Sequence, residues 1–358
     1  MGVNDAAALF QGLSFDGVRA TYATELFSVD AFWAKLAENS PVEQDGDVDF
    51  YGVYASYLGI KDVTFDAYWL FLRDGRAIND MNSDWSGERI EELVGFDDYD
   101  PTTLHTVGLR GSGKWGAWDF EAEAAYQFGE ADVVGASFAG AGLNSPYGPD
   151  DARWDAWGAN LEIGYTFDVK YSPRVYLGAA YLGGEDNRDL DFVDWLGVEA
   201  YPFWSASPSV SFNRLFSNWE YSEFIENTDL SNAWIARGGV SLTPTERTSL
   251  LLAVTHFESL DEYAAPWPAF TLLGMRVAPL SPFSFLSREN DGDLGWEVGL
   301  YATYQYSEDL AFDAGWAHLF VGDGLAQGNF NSANGLGFNG GTDDEDADYF
   351  FVETRIAF

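Results

Sequence analysis

The stretch Trp118-Asp119-Phe120-Glu121-Ala122-Glu123-Ala124-Ala125-Tyr126-Gln127-Phe128 decides the fold class of this protein. Polar Glu121, Glu123 and Gln127 occupy odd-numbered positions, and apolar residues occupy every even-numbered position from 120 to 128. Successive side chains of a β-strand point to opposite faces, so this period of two predicts a strand of about ten residues with one polar and one apolar face.

The same alternation recurs along the whole chain, whereas long amphipathic helical patterns do not occur in the sequence. It predicts an all-β protein with about thirteen strands, at residues 15–24, 27–37, 50–58, 64–73, 104–114, 118–128, 155–167, 174–183, 233–242, 248–257, 296–306, 310–320 and 348–358.

The predicted connections alternate strictly between short and long. Short turns are expected at Ala23–Leu26, Gly59–Val63, Trp115–Ala117, Asp168–Pro173, Thr243–Arg247 and Ser307–Asp309. Long, acidic, Gly- and Pro-rich loops are expected at 38–49, 74–103, 129–154, 184–232, 258–295 and 321–347. An antiparallel up-and-down barrel has turns on one rim and loops on the other, so we interpret residues 1–358 as one barrel domain.

Composition excludes several classes of protein. The 358 residues include 58 acidic and 18 basic side chains, and a net charge of −40 argues against a nucleic-acid partner. Aromatic residues make up 17% of the chain, too many for a disordered acidic tail. The absence of cysteine excludes disulfides and thiolate sites, and no run of 18 apolar residues predicts a membrane-spanning helix.

The position of the aromatic residues distinguishes a membrane barrel from a soluble one. Aromatic pairs such as Trp118 and Phe128, or Trp157 and Phe167, mark the ends of the apolar faces, where amphipathic rings suit lipid headgroups. The chain ends at Phe358, and a terminal aromatic strand is typical of bacterial outer-membrane barrels. We therefore expect a transmembrane barrel in the bacterial outer membrane, with its apolar face toward lipid and its polar face toward a water-filled lumen.

The odd number of predicted strands leads to a further prediction. Bacterial single-chain barrels have an even number of strands, whereas thirteen are counted here. Either Asn4–Gly12 forms a fourteenth strand or strands precede Met1, so the chain is expected to be N-terminally incomplete.

Six stretches resemble the alginate-export family of outer-membrane barrel proteins in order and spacing: Ser14–Arg19, Leu104–Arg110, Trp118–Gly129, Tyr171–Arg174, Phe212–Phe216 and Leu242–Arg247. The resemblance covers the chain from Phe15 to Phe358 and implies an eighteen-stranded barrel, of which about five N-terminal strands are absent here. It also implies transport, because the namesake exports an anionic polyuronate and many relatives are porin-like. A conduit for that polyanion should have a strongly cationic lumen, which this sequence does not clearly provide.

Assigning the polar strand faces to the lumen gives fifteen candidate pore-lining residues. Six are basic and nine acidic, a balance that predicts weak cation preference or none: Arg19, Arg110, Lys114, Arg174, Arg237 and Arg355, with Asp30, Asp66, Asp119, Glu121, Glu123, Glu162, Glu297, Asp313 and Glu353. One interpretation is a structural ladder of cross-strand ion pairs. The other is a selectivity filter of unpaired charges, for which Arg110 and Arg237 are the best candidates because each lies mid-strand.

The predicted loops contain acidic clusters and apolar segments, which could bind metal ions or a partner protein. Acidic clusters at Asp97–Asp100, Glu289–Asp293 and Asp343–Asp346 are rich in oxygen ligands but lack the spacing of a calcium loop, so we expect solvated surface and no metal site. Apolar loops at Leu190–Leu215 and Pro266–Leu286 should not be free in water. They either pack over the pore mouth, which we favour, fold inward as a plug, or bind a partner protein.

No catalytic constellation is found in the sequence. His105, His256 and His318 lie on separate predicted strands without a nearby Ser/Asp arrangement, and no nucleotide, phosphate or metal motif occurs, so neither catalysis nor a cofactor is expected. The sequence instead predicts a channel for passive diffusion of hydrophilic solutes, with outer-membrane lipid and lipopolysaccharide as its surroundings. Export of an extracellular polysaccharide, or a structural sleeve or anchor for a partner protein, remain the alternatives.

Overall fold

Thirteen long strands form the main sheet in the part of the protein that the structure describes. The structure is a computed structural model, and it describes residues 15–38, 47–75, 101–130, 153–184, 209–215, 221–224, 230–262, 270–272, 275–277, 291–327 and 345–356. The long strands are β1 (Asp16–Ala23), β2 (Phe27–Ala37), β3 (Val48–Ile60), β4 (Val63–Asp74), β5 (Thr102–Trp115), β6 (Trp118–Glu130), β7 (Arg153–Thr166), β8 (Arg174–Leu182), β10 (Ala233–Thr245), β11 (Thr248–Ser259), β14 (Asp293–Gln305), β15 (Leu310–Val321) and β16 (Ala347–Ile356).

Each long strand pairs antiparallel with the next long strand along the chain, in the order β1 to β8, β10, β11, β14, β15 and β16. Among the described residues β1 and β16 each pair on one side only, so the sheet is not closed. The short strand β9 (Ser209–Val210) runs parallel to the start of β7, and β12 (Phe270–Leu272) and β13 (Met275–Val277) form a separate hairpin. One short helix, α1 (Asp323–Gln327), follows β15. None of the helices in the described residues is long and apolar enough to cross a membrane.

The thirteen predicted strands are confirmed, with boundaries that differ by a few residues. The short connections also lie where they were predicted, all on one rim of the sheet. The long connections leave from the opposite rim, so the up-and-down topology is confirmed. The proposed fourteenth strand, Asn4–Gly12, and the terminal Phe358 lie outside the described residues.

Tight turns on the short-connection rim depend on residues that tolerate a left-handed backbone. The β5–β6 turn consists of Gly116 and Ala117, and Gly116 has φ of 62°. The β3–β4 turn uses Asp62 at φ of 60° for the same purpose. Glycine has no Cβ to clash in this region, and aspartate is among the residues that enter it most readily.

Exposed apolar side chains cover the outer face of the sheet, whereas fully buried ones such as Ile235 and Phe257 lie on the inner face near the long-loop rim. Leu109 is 66% exposed, Leu177 is 71% exposed and Leu161 is 44% exposed, although all three are in the middle of paired strands. The polar faces point to the opposite side, where Gln127 and Asp66 are buried. A water-soluble sheet would show the reverse arrangement, whereas a lipid-facing barrel wall has this one.

Aromatic rings form two belts on the outer face. Near the long-loop rim His105 stacks between Phe71 and Phe128, with ring centroids 4.4 and 5.0 Å away. Near the short-turn rim Trp118 packs edge-on against Tyr165 at 4.9 Å. Leu161 and its apolar neighbours lie between the belts, the arrangement of interfacial aromatic girdles around a hydrocarbon-facing band.

Candidate functional site

The strand register places all fifteen candidate pore-lining residues on the inner face. Side chains directly opposite each other on adjacent strands point to the same side, so the pairings can be followed across the sheet. One row runs from Asp66 through Arg110 and Glu123 to Asn160. A second row runs from Glu162 through Arg237 to Glu297. The other candidates lie on the same face at neighbouring positions of the register: Arg19, Asp30, Lys114, Asp119, Glu121, Arg174, Asp313, Glu353 and Arg355.

Arg110 is paired, although the filter hypothesis required it to be free. Its guanidinium lies 3.1 Å from the Asp66 carboxylate on β4 and 2.7 Å from the Glu121 carboxylate on β6. The three side chains therefore join three strands. Because two carboxylates share one cation, the group has a net negative charge.

Arg174 forms the centre of a second group. Its Nε donates to Asp119 Oδ2 at 3.0 Å, and its Nη2 donates to Glu162 Oε1 at 2.8 Å. Arg237, the other filter candidate, lies 3.4 Å from the second oxygen of Glu162. Arg237 is thus also paired, and the cross-strand ladder describes these contacts better than a filter of unpaired charges does.

The same pairing extends to both ends of the sheet. Arg19 on β1 donates to Asp30 on β2 at 2.8 Å, and Arg355 on β16 donates to Asp313 on β15 at 2.7 Å. Lys114 is exposed on the inner face near the short-turn rim. Five of the six candidate cations are therefore paired with carboxylates, and this pairing reduces the field that each charge exerts at a distance.

Residues 211–215 and 221–224, called here the inner segment, lie against the inner face of the sheet. At one end the Gln127 side chain makes two hydrogen bonds to the backbone of Asn213. Its Nε2 donates to the Asn213 carbonyl and its Oε1 accepts from the Asn213 N–H, both at 2.7 Å, as the backbone of a neighbouring strand would. At the other end the buried Glu297 carboxylate accepts hydrogen bonds from the Ser222 hydroxyl and from the Glu223 N–H. The two anchors are on β6 and β14, with four strands between them in the sheet.

Aromatic side chains from both parts of the inner segment also contact the wall. Phe212 lies directly over Gly158, where a Cβ would overlap its ring. The Tyr221 hydroxyl donates to Asn160 Oδ1 at 3.1 Å. Arg214 and Arg237 both lie over the Tyr221 ring, with guanidinium carbons 5.2 and 5.8 Å from its centroid, a cation–π arrangement.

The inner segment includes the end of the apolar loop Leu190–Leu215, whose residues 190–208 lie outside the described residues. Residues 211–215 fold inward, because Gln127 and Gly158 provide them with backbone-like hydrogen bonds and a close aromatic contact. For these residues packing over the pore mouth is wrong, and for the rest of the loop it stays a prediction. Most of the second apolar loop, Pro266–Leu286, lies outside the described residues.

A cavity of about 610 Å³ lies between the inner segment and the wall formed by β3 to β8. Its walls combine charged groups with aromatic rings and amides, including Tyr54, Tyr68, Arg110, Glu123, Gln127, Asn160, Phe212 and Arg214. The Tyr54 and Tyr68 rings are stacked at 5.6 Å, and the Tyr68 hydroxyl donates to Glu123 at 2.5 Å. Sequence reasoning placed Gln127 and Asn160 on the polar face but gave no role to either, since Asn213 is 86 residues from Gln127.

The three histidines lie on the outer face, in the belt near the long-loop rim. His256 contacts Asp293 at 3.2 Å and packs against Trp296, while His318 contacts Asp348 at 3.0 Å. Among the described residues no group of three His, Cys, Asp or Glu side chains is arranged to hold a metal ion. Of the acidic loop clusters, Asp97–Asp100 and most of the other two lie outside the described residues.

Comparison with solved structures finds similar bacterial proteins, among them the outer membrane protein OprD. The chain is similar to OprD of Pseudomonas aeruginosa, with 10% sequence identity and a TM-score of 0.45, over 94% of this chain and 67% of OprD. It is similar to OccK11 (OpdR) of the same organism, with 10% identity and a TM-score of 0.45, over 96% of this chain and 71% of that one. It is also similar to the siderophore receptor PirA, with 11% identity and a TM-score of 0.40, over 88% of this chain and 43% of the receptor, so it spans less than half of that receptor's length.

The chain matches none of the curated proteins with which it was compared. The model of one protein family, described as Alginate export, matches residues 7–339, which is nearly the whole of the 358-residue chain. This match agrees with the up-and-down strand order and with the exposed apolar outer face of the sheet. The chain belongs to the alginate export family of outer-membrane β-barrel proteins.

Proposed function

We propose that this protein is an outer-membrane channel through which hydrophilic solutes diffuse passively along a polar lumen. The observation that carries the proposal is the division of the strand faces. The outer face exposes apolar side chains such as Leu109 and Leu177, while the fifteen charged candidates share the inner face. A wall with this division separates lipid from water, and a water-filled interior is what a hydrophilic solute needs to cross.

The charge of the wall supports diffusion of small solutes over export of a polyanion. Nine carboxylates and six cations make up the candidate set, and Arg110, Arg174 and Arg355 are all paired with carboxylates. A conduit for a polyuronate needs an excess of cationic groups facing the polymer. Family membership nevertheless favours polysaccharide export as the second candidate function.

Conductance across a planar lipid bilayer distinguishes the two functions. We expect open channels whose reversal potential in a KCl gradient indicates weak cation preference. Strong anion selectivity would contradict passive diffusion through this wall and favour polyuronate export. A protein that inserts but gives no conductance would contradict both.

A matched pair of charge removals tests whether the inner face lines the pathway. Lys114→Gln removes an exposed inner-face cation and should shift the reversal potential toward cation selectivity. Lys61→Gln removes a cation from the β3–β4 turn, where the side chain is 91% exposed, and should change little. Equal shifts of the reversal potential for the two variants would contradict the assignment of the inner face to the ion pathway.

A further inference from the structure

We propose that the cavity beneath the inner segment is a binding subsite for an uncharged, hydroxylated solute of the saccharide class. The proposal rests on the channel function above and names the kind of solute that the channel retains. The cavity has a volume of about 610 Å³, within the range of small-molecule sites.

The charged residues that line the cavity carry no excess of cations, and Asp66 behind Arg110 adds a further negative charge. Arg110 and Arg214 face it together with Glu121 and Glu123, so the formal charges cancel. Arg110 also contacts Glu121 at 2.7 Å, and Glu123 accepts from the Tyr68 hydroxyl. An anionic ligand would therefore lose its hydration without meeting an excess of cations, whereas a neutral ligand has a much smaller hydration free energy to lose.

The remaining lining suits a ligand with apolar ring faces and hydroxyl edges. The rings of Tyr54, Tyr68 and Phe212 provide flat apolar surface against which the C–H groups of a sugar ring can pack. Beside these rings lie carboxylates, which accept hydrogen bonds, guanidinium groups, which donate them, and amides, which do both. A sugar hydroxyl can donate and accept, so it can bond to each of these groups.

One donor beside the cavity has no hydrogen-bond partner among the described residues. Asn160 Oδ1 accepts from Tyr221, but Asn160 Nδ2 is buried and makes no hydrogen bond within the described part of the protein. A buried unpaired amide donor is costly, and an acceptor oxygen of a ligand would satisfy it. The anchors at Gln127 and Glu297 hold the segment in place, so the site is preformed and loses little entropy on binding.

Isothermal titration calorimetry in detergent micelles tests the proposal, with maltotriose, cellotriose and raffinose as neutral probes and triguluronate as the anionic probe. We expect at least one neutral trisaccharide to bind and triguluronate to bind more weakly. Asn160→Asp keeps the acceptor for Tyr221 and replaces the donor, so it should weaken neutral binding about tenfold. Ser241→Ala, on the inner face of β10 and outside the cavity lining, is the matched control and should bind like the unmodified protein.

Three results would overturn the proposal: no binding of any neutral probe, tighter binding of triguluronate than of all neutral probes, or equal neutral binding by Asn160→Asp and the unmodified protein. Conductance of the same preparation separates this failure from failure of the channel function. Conductance without saccharide binding would contradict the subsite alone. Saccharide binding without conductance would support the subsite and contradict the channel.

Discussion

Substitution of Leu161 by arginine tests which face of the sheet contacts lipid. Leu161 is 44% exposed on the outer face of β7, four residues from Trp157 and four from Tyr165, which belong to the two aromatic belts. At about 3.3 Å per residue and a tilt of about 40°, each belt lies about 10 Å from Leu161 along the barrel axis. Leu161 is therefore near the middle of the hydrocarbon band.

An arginine at the midplane of the lipid face costs about 2–4 kcal/mol of folding free energy in a bilayer. The adjacent substitution Asn160→Arg is the control, because its side chain points to the inner face, opposite Glu123 on β6. It loses the hydrogen bond from Tyr221, worth about 1 kcal/mol, but the new cation can pair with Glu123. The two variants should differ by about 2 kcal/mol, or about thirty-fold in the folding equilibrium.

Urea-induced unfolding in phospholipid vesicles, followed by tryptophan fluorescence, measures the two free energies. If both arginines cost the same, or if Asn160→Arg costs more, the assignment of faces is wrong. In that case the inner wall, the channel and the saccharide subsite all lose their basis.

Three further substitutions test local features of the wall, the first two by urea unfolding in the same vesicles and the third by limited proteolysis. Arg174→Met should cost about 1–3 kcal/mol, because its two carboxylate partners lose a charge-assisted donor, and no loss would show that the ion pairs contribute nothing. Gly116→Ala should cost about 1 kcal/mol from backbone conformation alone, since its φ is 62° and no atom lies near the added methyl group, so a neutral result would contradict this turn geometry. Gly158→Ala should displace the Phe212 ring and increase proteolysis of the inner segment, and unchanged proteolysis would argue that the contact does not hold the segment.

Strand positions were predictable because their signal is local. In β6 the alternation of Glu121 and Glu123 with alanines marks both faces within five residues, and the structure agrees from Trp118 to Glu130. The two-residue strand β9 was missed, because its pairing with the start of β7 depends on a residue more than fifty positions away rather than on any pattern of its own. The inner-face location of Arg110 was also predictable from period two, but its partners Asp66 and Glu121 could be identified only once the register was known.

The sequence by itself determined the class of the fold, the positions of the thirteen long strands and the division into an apolar outer face and an inner face that carries the charges, because all of these follow from side-chain period within single strands. Only the tertiary structure decided which charges neutralise each other and that residues 211–215 turn inward to meet Gln127. Such contacts join residues far apart along the chain, and a one-residue change in register or a different loop path would replace every one of them without altering the alternation from which the strands were predicted.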